Sequence, residues 1–337
     1  MSSQPVDRPI VVLLSVPRPR PTTNPYVTQL LASLADVEGV TVLPFRWRAA
    51  LLGKYDVFHV HWPENLLKGQ SRTKSFARRT FTRLLLLRLR IRKIPIVRTM
   101  HNVDRPTGLT GAEYRLLRTI DARTRLVIRL NDQTEIPEHL AFETILHGHY
   151  RDWFAGYSRS EAVPGRLGYV GLIRRYKNVP HLVRAVASLP GRFSLRVSGR
   201  PSTSQLAAEI EAARGADARI LLDFRFLSDA ELVRAITEAE LIVLPYPEMH
   251  NSGSVLASLS LERPVLVKDN DVNRALSTEV GAGWIHLYEG DLEADDILRA
   301  HASLKSRPLT GGPDLGLRDW ADTGRRHVEA YRRAMVR

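Results

Sequence analysis

The chain has 337 residues, enough for two domains. Its 44% apolar content is that of a folded globular protein, and it has no cysteine, which excludes disulfides, thiolate metal sites and a cysteine nucleophile. The net charge of +13 is uneven: residues 1–160 carry 25 Lys and Arg against 13 Asp and Glu, and residues 161–337 carry 24 against 23. That asymmetry points to an anionic partner for the first half, although Arg outnumbers Lys 42 to 7, a bias that a GC-rich genome also produces. No 18-residue window is apolar enough to span a bilayer, and the segment before Ile10 lacks the apolar core of a signal peptide, so a cytoplasmic location is expected.

Ile10–Val16 reads as a buried strand, followed by a Pro-rich loop over Pro17–Pro25 and a helix near Tyr26–Ala35. Val40–Phe45 and Val57–His61 read as strands, the second leading into His61-Trp62-Pro63-Glu64. Asn65–Val103 carries eleven Lys or Arg and no acidic residue. Its core, Lys74–Ile91, forms a helix with Phe76, Thr80, Leu84, Leu87 and Ile91 on one stripe and Arg78, Arg79, Arg83 and Arg90 largely off it. Such a helix suits an anionic membrane surface, or its stripe packs on the sheet with the arginines outward. Ile96–Met100 and Leu126–Leu130 are further strands, with a helix at Ala112–Arg123 between them. This alternation predicts an α/β chain with doubly wound parallel sheets.

Ala162–Arg166 carries turn residues and is the expected linker, giving a first domain over 1–160 and a second over 166–316. The second repeats the alternation, with strands near Arg166–Val170, Phe193–Ser198, Ile220–Phe224, Leu241–Leu244 and Val265–Val267. A helix is predicted over Leu317–Met335. Two segments of this half carry chemistry. In GLIRRYKN (Gly171–Asn178) a strand ends in a loop bearing Arg174 and Lys177, cations that suit phosphate oxygens, before a helix. In NSGSVLASLSLERPVLV (Asn251–Val267), Asn251, Ser252, Gly253 and Ser254 open a helix whose free amides and dipole favour an anion, and Gly253 leaves the backbone open to it. Together they suit a diphosphate.

The order of these motifs resembles the C-terminal nucleotide-sugar domain of GT-B glycosyltransferases, most broadly glycosyltransferase family 4. A narrower likeness is to the bacterial exopolysaccharide glycosyltransferases that build xanthan-type lipid-linked repeats. The resemblance covers most of the chain and implies two Rossmann-like domains facing a cleft. The first would bind the acceptor and the second the nucleotide sugar, with the helix of residues 317–337 crossing back to the first. It implies transfer of a mannosyl or glucuronosyl/glucosyl group from a GDP- or UDP-linked sugar to a lipid-linked saccharide, at the inner face of the membrane, without a further cofactor. No His-rich or Asp-rich metal cluster stands out in the sequence, and a metal is not expected.

The resemblance also places Gly199, Ser228 and His250 in the donor site and His101 beside the donor sugar. Ser228 also begins a capping box with Glu231. The family carries a pair of Glu where this chain has Met249 and Ala257. Ribose recognition then has to come from elsewhere, and Glu248 or His250 are shifted substitutes at the sugar.

If the reaction inverts the anomeric centre it needs a base. Asp104 and Glu64 are the candidates, with Asp132 third; if configuration is retained, no such base is required. Asn24, in the loop after the first strand, faces phosphate or acceptor in this reading, or simply belongs to a stiff connector. His147 and His149 lack a carboxylate companion for a metal and fall near the domain crossing. A soluble acceptor, or a phosphate-binding protein without enzymatic activity, fits the same scaffold. No nucleic-acid-binding motif is present, and nucleic acid is not an expected partner.

Overall fold

The computed structural model describes residues 8–20, 23–102 and 108–336. The chain divides into two compact units, one of residues 1–148 with 318–337 and one of residues 149–317.

The first unit contains β1 (Ile10–Leu14), α1 (Pro25–Ala35), β2 (Val40–Leu43), α2 (Trp47–Leu52), β3 (Val57–Val60), α3 (Arg72–Ile91), β4 (Ile96–Met100), α4 (Gly111–Arg123), β5 (Thr124–Arg129) and β6 (Ala141–Thr144). Its sheet is parallel throughout, in the order β2-β1-β3-β4-β5-β6. Continuous apolar runs such as Ile10–Leu14 suit it, because helices cover both faces of a parallel sheet. Local signals fix the helix starts. Pro25 opens α1 after Asn24, whose Oδ1 accepts from Tyr26 N at 3.1 Å. Thr110 and Glu113 form a reciprocal capping box on α4.

The second unit contains α5 (Arg151–Phe154), β7 (Arg166–Val170), α6 (Val179–Ala187), β8 (Ser194–Ser198), α7 (Ser204–Arg214), β9 (Ile220–Asp223), α8 (Asp229–Thr237), β10 (Leu241–Leu244), α9 (Gly253–Ser260), β11 (Val265–Lys268), α10 (Asp271–Val280), β12 (Ile285–Tyr288) and α11 (Ala294–Ser306). Its parallel sheet runs β12-β11-β10-β7-β8-β9. Read in chain order, this is the 3-2-1-4-5-6 pattern of dinucleotide-binding folds.

The boundary falls between Gly148 and His149 rather than at residue 160, because Tyr150 and Phe154 pack into the second unit's core. The final helix, α12 (Thr323–Met335), belongs to the first unit and begins at Thr323 rather than Leu317. A short 3-10 turn, Gly316–Arg318, precedes it. Val328, Tyr331 and Ala334 of α12 join the cluster formed by β1 and α1.

Candidate active site

Ligands of open parallel sheets sit beyond the carboxyl ends of the strands, where the strand order reverses. In the second unit that point lies between β7 and β10, neighbours in the sheet. From it the chain leaves β7 through Gly171 and enters α6, and leaves β10 through Tyr246 and enters α9. Gly171 has φ +117 and Gly199, at the end of β8, has φ +151. A Cβ on Gly199 would lie 1.9 Å from the Gly171 carbonyl oxygen, so the two strand ends approach as closely as they do only because Gly199 carries no side chain.

The same geometry locates the cation and the helix start. A Cβ on Gly171 would meet Ser254 Oγ at 2.9 Å and Lys177 Nζ at 3.8 Å. Ser254 Oγ donates to the Val170 carbonyl at 3.2 Å, and the Lys177 ammonium lies 4.7 Å from the centre of the Tyr246 ring. Ser252 caps α9, its Oγ accepting from Val255 N at 3.3 Å. Gly253 packs over the Tyr150 hydroxyl, 3.3 Å from where a Cβ would stand. Lys177, Ser252, Gly253 and Ser254 therefore share one place.

Arg174 is exposed and its guanidinium has no ion-pair or hydrogen-bond partner among the described residues, whereas Arg175 is held by Glu209 through two bonds of 3.0 and 2.8 Å. His250 and Asn251 are half-buried in the segment that leads into α9. Ser228 stands before α8, where it forms the capping box with Glu231. Met249 and Ala257 are both buried in the core cluster, so the two places where family 4 carries Glu are packed apolar positions here. Glu248, next to Met249, is exposed.

In the first unit the strand order reverses between β1 and β3. Beyond β3, the His61 amide donates to Ser15 Oγ at 3.0 Å, and Pro63–Leu66 forms a 3-10 turn that carries Glu64. His61 Nδ1 and His101 Nε2 lie 3.1 Å apart and share one hydrogen, so one ring donates and the other accepts. The His101 ring stacks on Trp62, with centroids 4.1 Å apart, and meets Tyr26 edge-on at 5.2 Å. A small cavity of about 20 Å³ lies among Glu64, His61, His101, Asn102 and Asp121, room for about one water. Two of the residues singled out in the sequence, His101 and Glu64, thus line one cavity; Asp104 lies outside the described residues. Asp132 is exposed beyond β5, accepting from the Gln133 amide. Asn24 is the exposed cap of α1.

Sequence reasoning missed what surrounds His101. His59 is fully buried in β3, with Nδ1 2.8 Å from the Tyr331 hydroxyl and Nε2 2.8 Å from Thr99 Oγ1. His327 on α12 is 5.8 Å from it, ring centre to ring centre, and His147 packs against Tyr26 at 4.7 Å. Burial, reinforced by neighbouring histidines, holds His59 and His101 well below the usual imidazole range. Burial first, and then His327, brings His61 to about 3; burial brings His147 and His327 to about 4. The ring beside the cavity is thus a neutral imidazole at physiological pH. Tyr150 beneath Gly253 and Tyr246 beside Lys177 were missed as well; isolated aromatic residues gave no periodic signal.

No protein-family model matches the chain. Among solved structures it is similar to the catalytic domain of starch synthase IV from Arabidopsis thaliana, with 11% identity, a TM-score of 0.63, and coverage of 98% of this chain and 100% of that one. It is also similar to a sucrose-phosphate synthase from Thermosynechococcus elongatus, with 14% identity, a TM-score of 0.61, and coverage of 96% and 95%. At such identities the likeness shows the fold alone, and that fold is GT-B, two Rossmann-like units.

A sequence relative takes the class further. Over 327 residues the chain is 42% identical to the GDP-mannose:glycolipid 4-beta-D-mannosyltransferase of Xanthomonas campestris pv. campestris, covering 97% of this chain and 93% of that protein. The chain belongs to the same family as that mannosyltransferase and is a GT-B glycosyltransferase.

Proposed function

We propose that the protein transfers mannose from GDP-mannose to a lipid-linked saccharide, with inversion at the anomeric carbon, in exopolysaccharide or cell-envelope assembly on the cytoplasmic side of the membrane. The donor and acceptor rest on the 42% identity to the Xanthomonas enzyme, whose name gives both. That name also specifies a β product, and GDP-mannose carries its sugar in the α configuration, so the transfer would invert. The packed apolar Met249 and Ala257, in place of the family 4 glutamates, fit an enzyme with different demands at the donor sugar.

The observation that carries the reading at the donor is the convergence of Lys177 and Ser254 on Gly171, with Arg174 unpaired nearby in sequence. Arg174, Lys177 and the start of α9 would hold the diphosphate and stabilise the charge it gains as the glycosidic bond breaks. His250, Asn251 and Gly199 would complete the donor site. In the transfer the acceptor hydroxyl oxygen attacks the anomeric carbon and the carbon–oxygen bond to phosphate breaks. GDP leaves with the bonding electrons, and the hydroxyl proton passes to a carboxylate. Glu64 is our choice for that base, because it lines the cavity beside His101 and its carboxylate has no hydrogen-bond partner among the described residues; Asp104 is the alternative. His101, neutral and clamped by Trp62 and Tyr26, would contact the donor sugar.

The test is transfer from GDP-mannose to a lipid-linked saccharide, with the product anomer read by NMR. A β-mannoside from the parent is expected. Glu64→Gln should lower transfer by about 10²–10⁴-fold while GDP binding is kept. An α product, or full activity in Glu64→Gln, would overturn the inverting mechanism with Glu64 as base.

A further inference from the structure

Helix α3 is apolar on two opposite faces. Thr82, Leu85, Leu86 and Leu89 are buried, Leu85, Leu86 and Leu89 in the core of the first unit. The stripe opposite them, at about 100° per residue, holds Phe76, Leu84, Leu87 and Ile91, which are 64%, 47%, 52% and 67% exposed. Leu52, at the end of the neighbouring α2, is 78% exposed. Single exposed apolar residues are ordinary, but four large ones along one face of a helix, interrupted only by Thr80, mark a surface that something covers.

The flanks of that stripe are cationic. Arg72, Arg83 and Arg90 border it on one side and Lys74 lies on the other, all exposed and without an ion-pair partner among the described residues. Arg78 and Arg79 are used within the unit. Arg78 donates to the carbonyls of Asn65 and Lys68 at 2.8 and 2.7 Å, and Arg79 pairs with Glu113 at 3.3 Å. At the C-terminal end of α3 opens a cavity of about 460 Å³ with Arg90, Lys93, Arg123 and Arg125 in its lining, apolar walls including Leu89, Ile94 and Met335, and no carboxylate among the described residues.

We infer that the outer face of α3 docks on an anionic lipid surface, with Phe76, Leu84, Leu87 and Ile91 entering the headgroup boundary and the cavity at Arg90 and Lys93 receiving a lipid phosphate. An apolar stripe between cationic flanks is the composition of a helix lying in a membrane interface. A second copy of the chain is a poor occupant, since a two-fold contact through this face would set the two sets of cations against each other. The inference extends the lipid-linked acceptor proposed above and rests on it for its purpose, while naming the residues that hold the enzyme at the membrane.

Co-sedimentation of the full chain with acceptor-free vesicles tests it. Vesicles with about a third phosphatidylglycerol should bind the protein at low salt, and phosphatidylcholine alone should bind it weakly. Loss of two cations should weaken binding roughly 30-fold, so Arg90→Glu/Lys93→Glu should fall at least that far. Phe76→Ser/Leu87→Ser should lose tenfold or more. GDP binding measured in the same samples should be unchanged, and reports folding. No binding of the parent to anionic vesicles, variants that bind like the parent, or a dimer that Phe76→Ser/Leu87→Ser dissolves would each overturn the inference. Because the vesicles carry no glycolipid acceptor, none of these outcomes depends on whether the proposed transfer is correct.

Discussion

Arg174 and Arg175 are adjacent and chemically identical, yet only one is free to meet a ligand. Arg175 is committed to Glu209, so Arg175→Ala should leave GDP affinity within about twofold and stability nearly unchanged, as for exposed ion pairs. Arg174→Ala should lower GDP affinity roughly tenfold or more, as loss of a charge-assisted contact does. Titration of both variants with GDP checks the contrast, and equal losses would contradict it. At Gly199 the constraint is steric. Gly199→Ala pushes a methyl against the Gly171 carbonyl, and should cost about 1–3 kcal/mol in a denaturant melt and weaken donor binding. That Lys177 and Ser254 meet at Gly171 was anticipated from the sequence, because glycine, serine and a cation before a helix leave a local trace. His59 and His327 left none, since they come together from β3 and α12, and His147 drew notice only as a metal ligand without a companion.

At the scale of elements, α3 shows what periodicity cannot decide. The sequence has an apolar stripe through Phe76, Leu84, Leu87 and Ile91, and a second through Leu85, Leu86 and Leu89, separated by one helix face. Only the packing against β3, β4 and α4 tells which is inward. Leu85→Ala should therefore cost about 2–5 kcal/mol, and Leu84→Ala should stay within about 0.5 kcal/mol. Thermal or urea unfolding of the two variants distinguishes them, and equal losses would place the wrong face inward. Most strands with uninterrupted apolar runs were read correctly. β6 and β12 were not: β6 is a half-exposed edge strand, and β12 is short and interrupted by His286. α7, rich in alanine with a weak apolar face, also escaped, as did α10 and α11.

Across the whole molecule, the first unit joins surface cations to a core of neutral histidines. Each of His59, His61, His101, His147 and His327 is held below its unfolded value near 6.5. The unfolded chain then binds more protons between about pH 6.5 and pH 4. Stability is full above 6.5 and falls as pH drops toward the folded values, by up to about 1.4 kcal/mol per unit for each group. Several such groups together approach a domain's whole net stability. Urea melts at pH 7.5 and pH 5 should show a large loss at pH 5, and His327→Leu should flatten it; equal midpoints would contradict this. The order of the two C-terminal motifs made the fold readable from sequence. The domain boundary was less so, because Tyr150 and Phe154 precede the turn residues that looked like a linker.

The central claim is that the loop after β7 and the start of α9 bind the diphosphate of GDP-mannose. The most direct measurement is the thermal midpoint with GDP, UDP, dTDP or ADP, in the parent and in Arg174→Ala/Lys177→Ala. At 100 times its dissociation constant a ligand adds about 2.7 kcal/mol. GDP should raise the midpoint of the parent, the other nucleotides should do so less, and the double variant should not respond. A parent indifferent to GDP at millimolar concentration, or a double variant stabilised as much as the parent, would contradict the account.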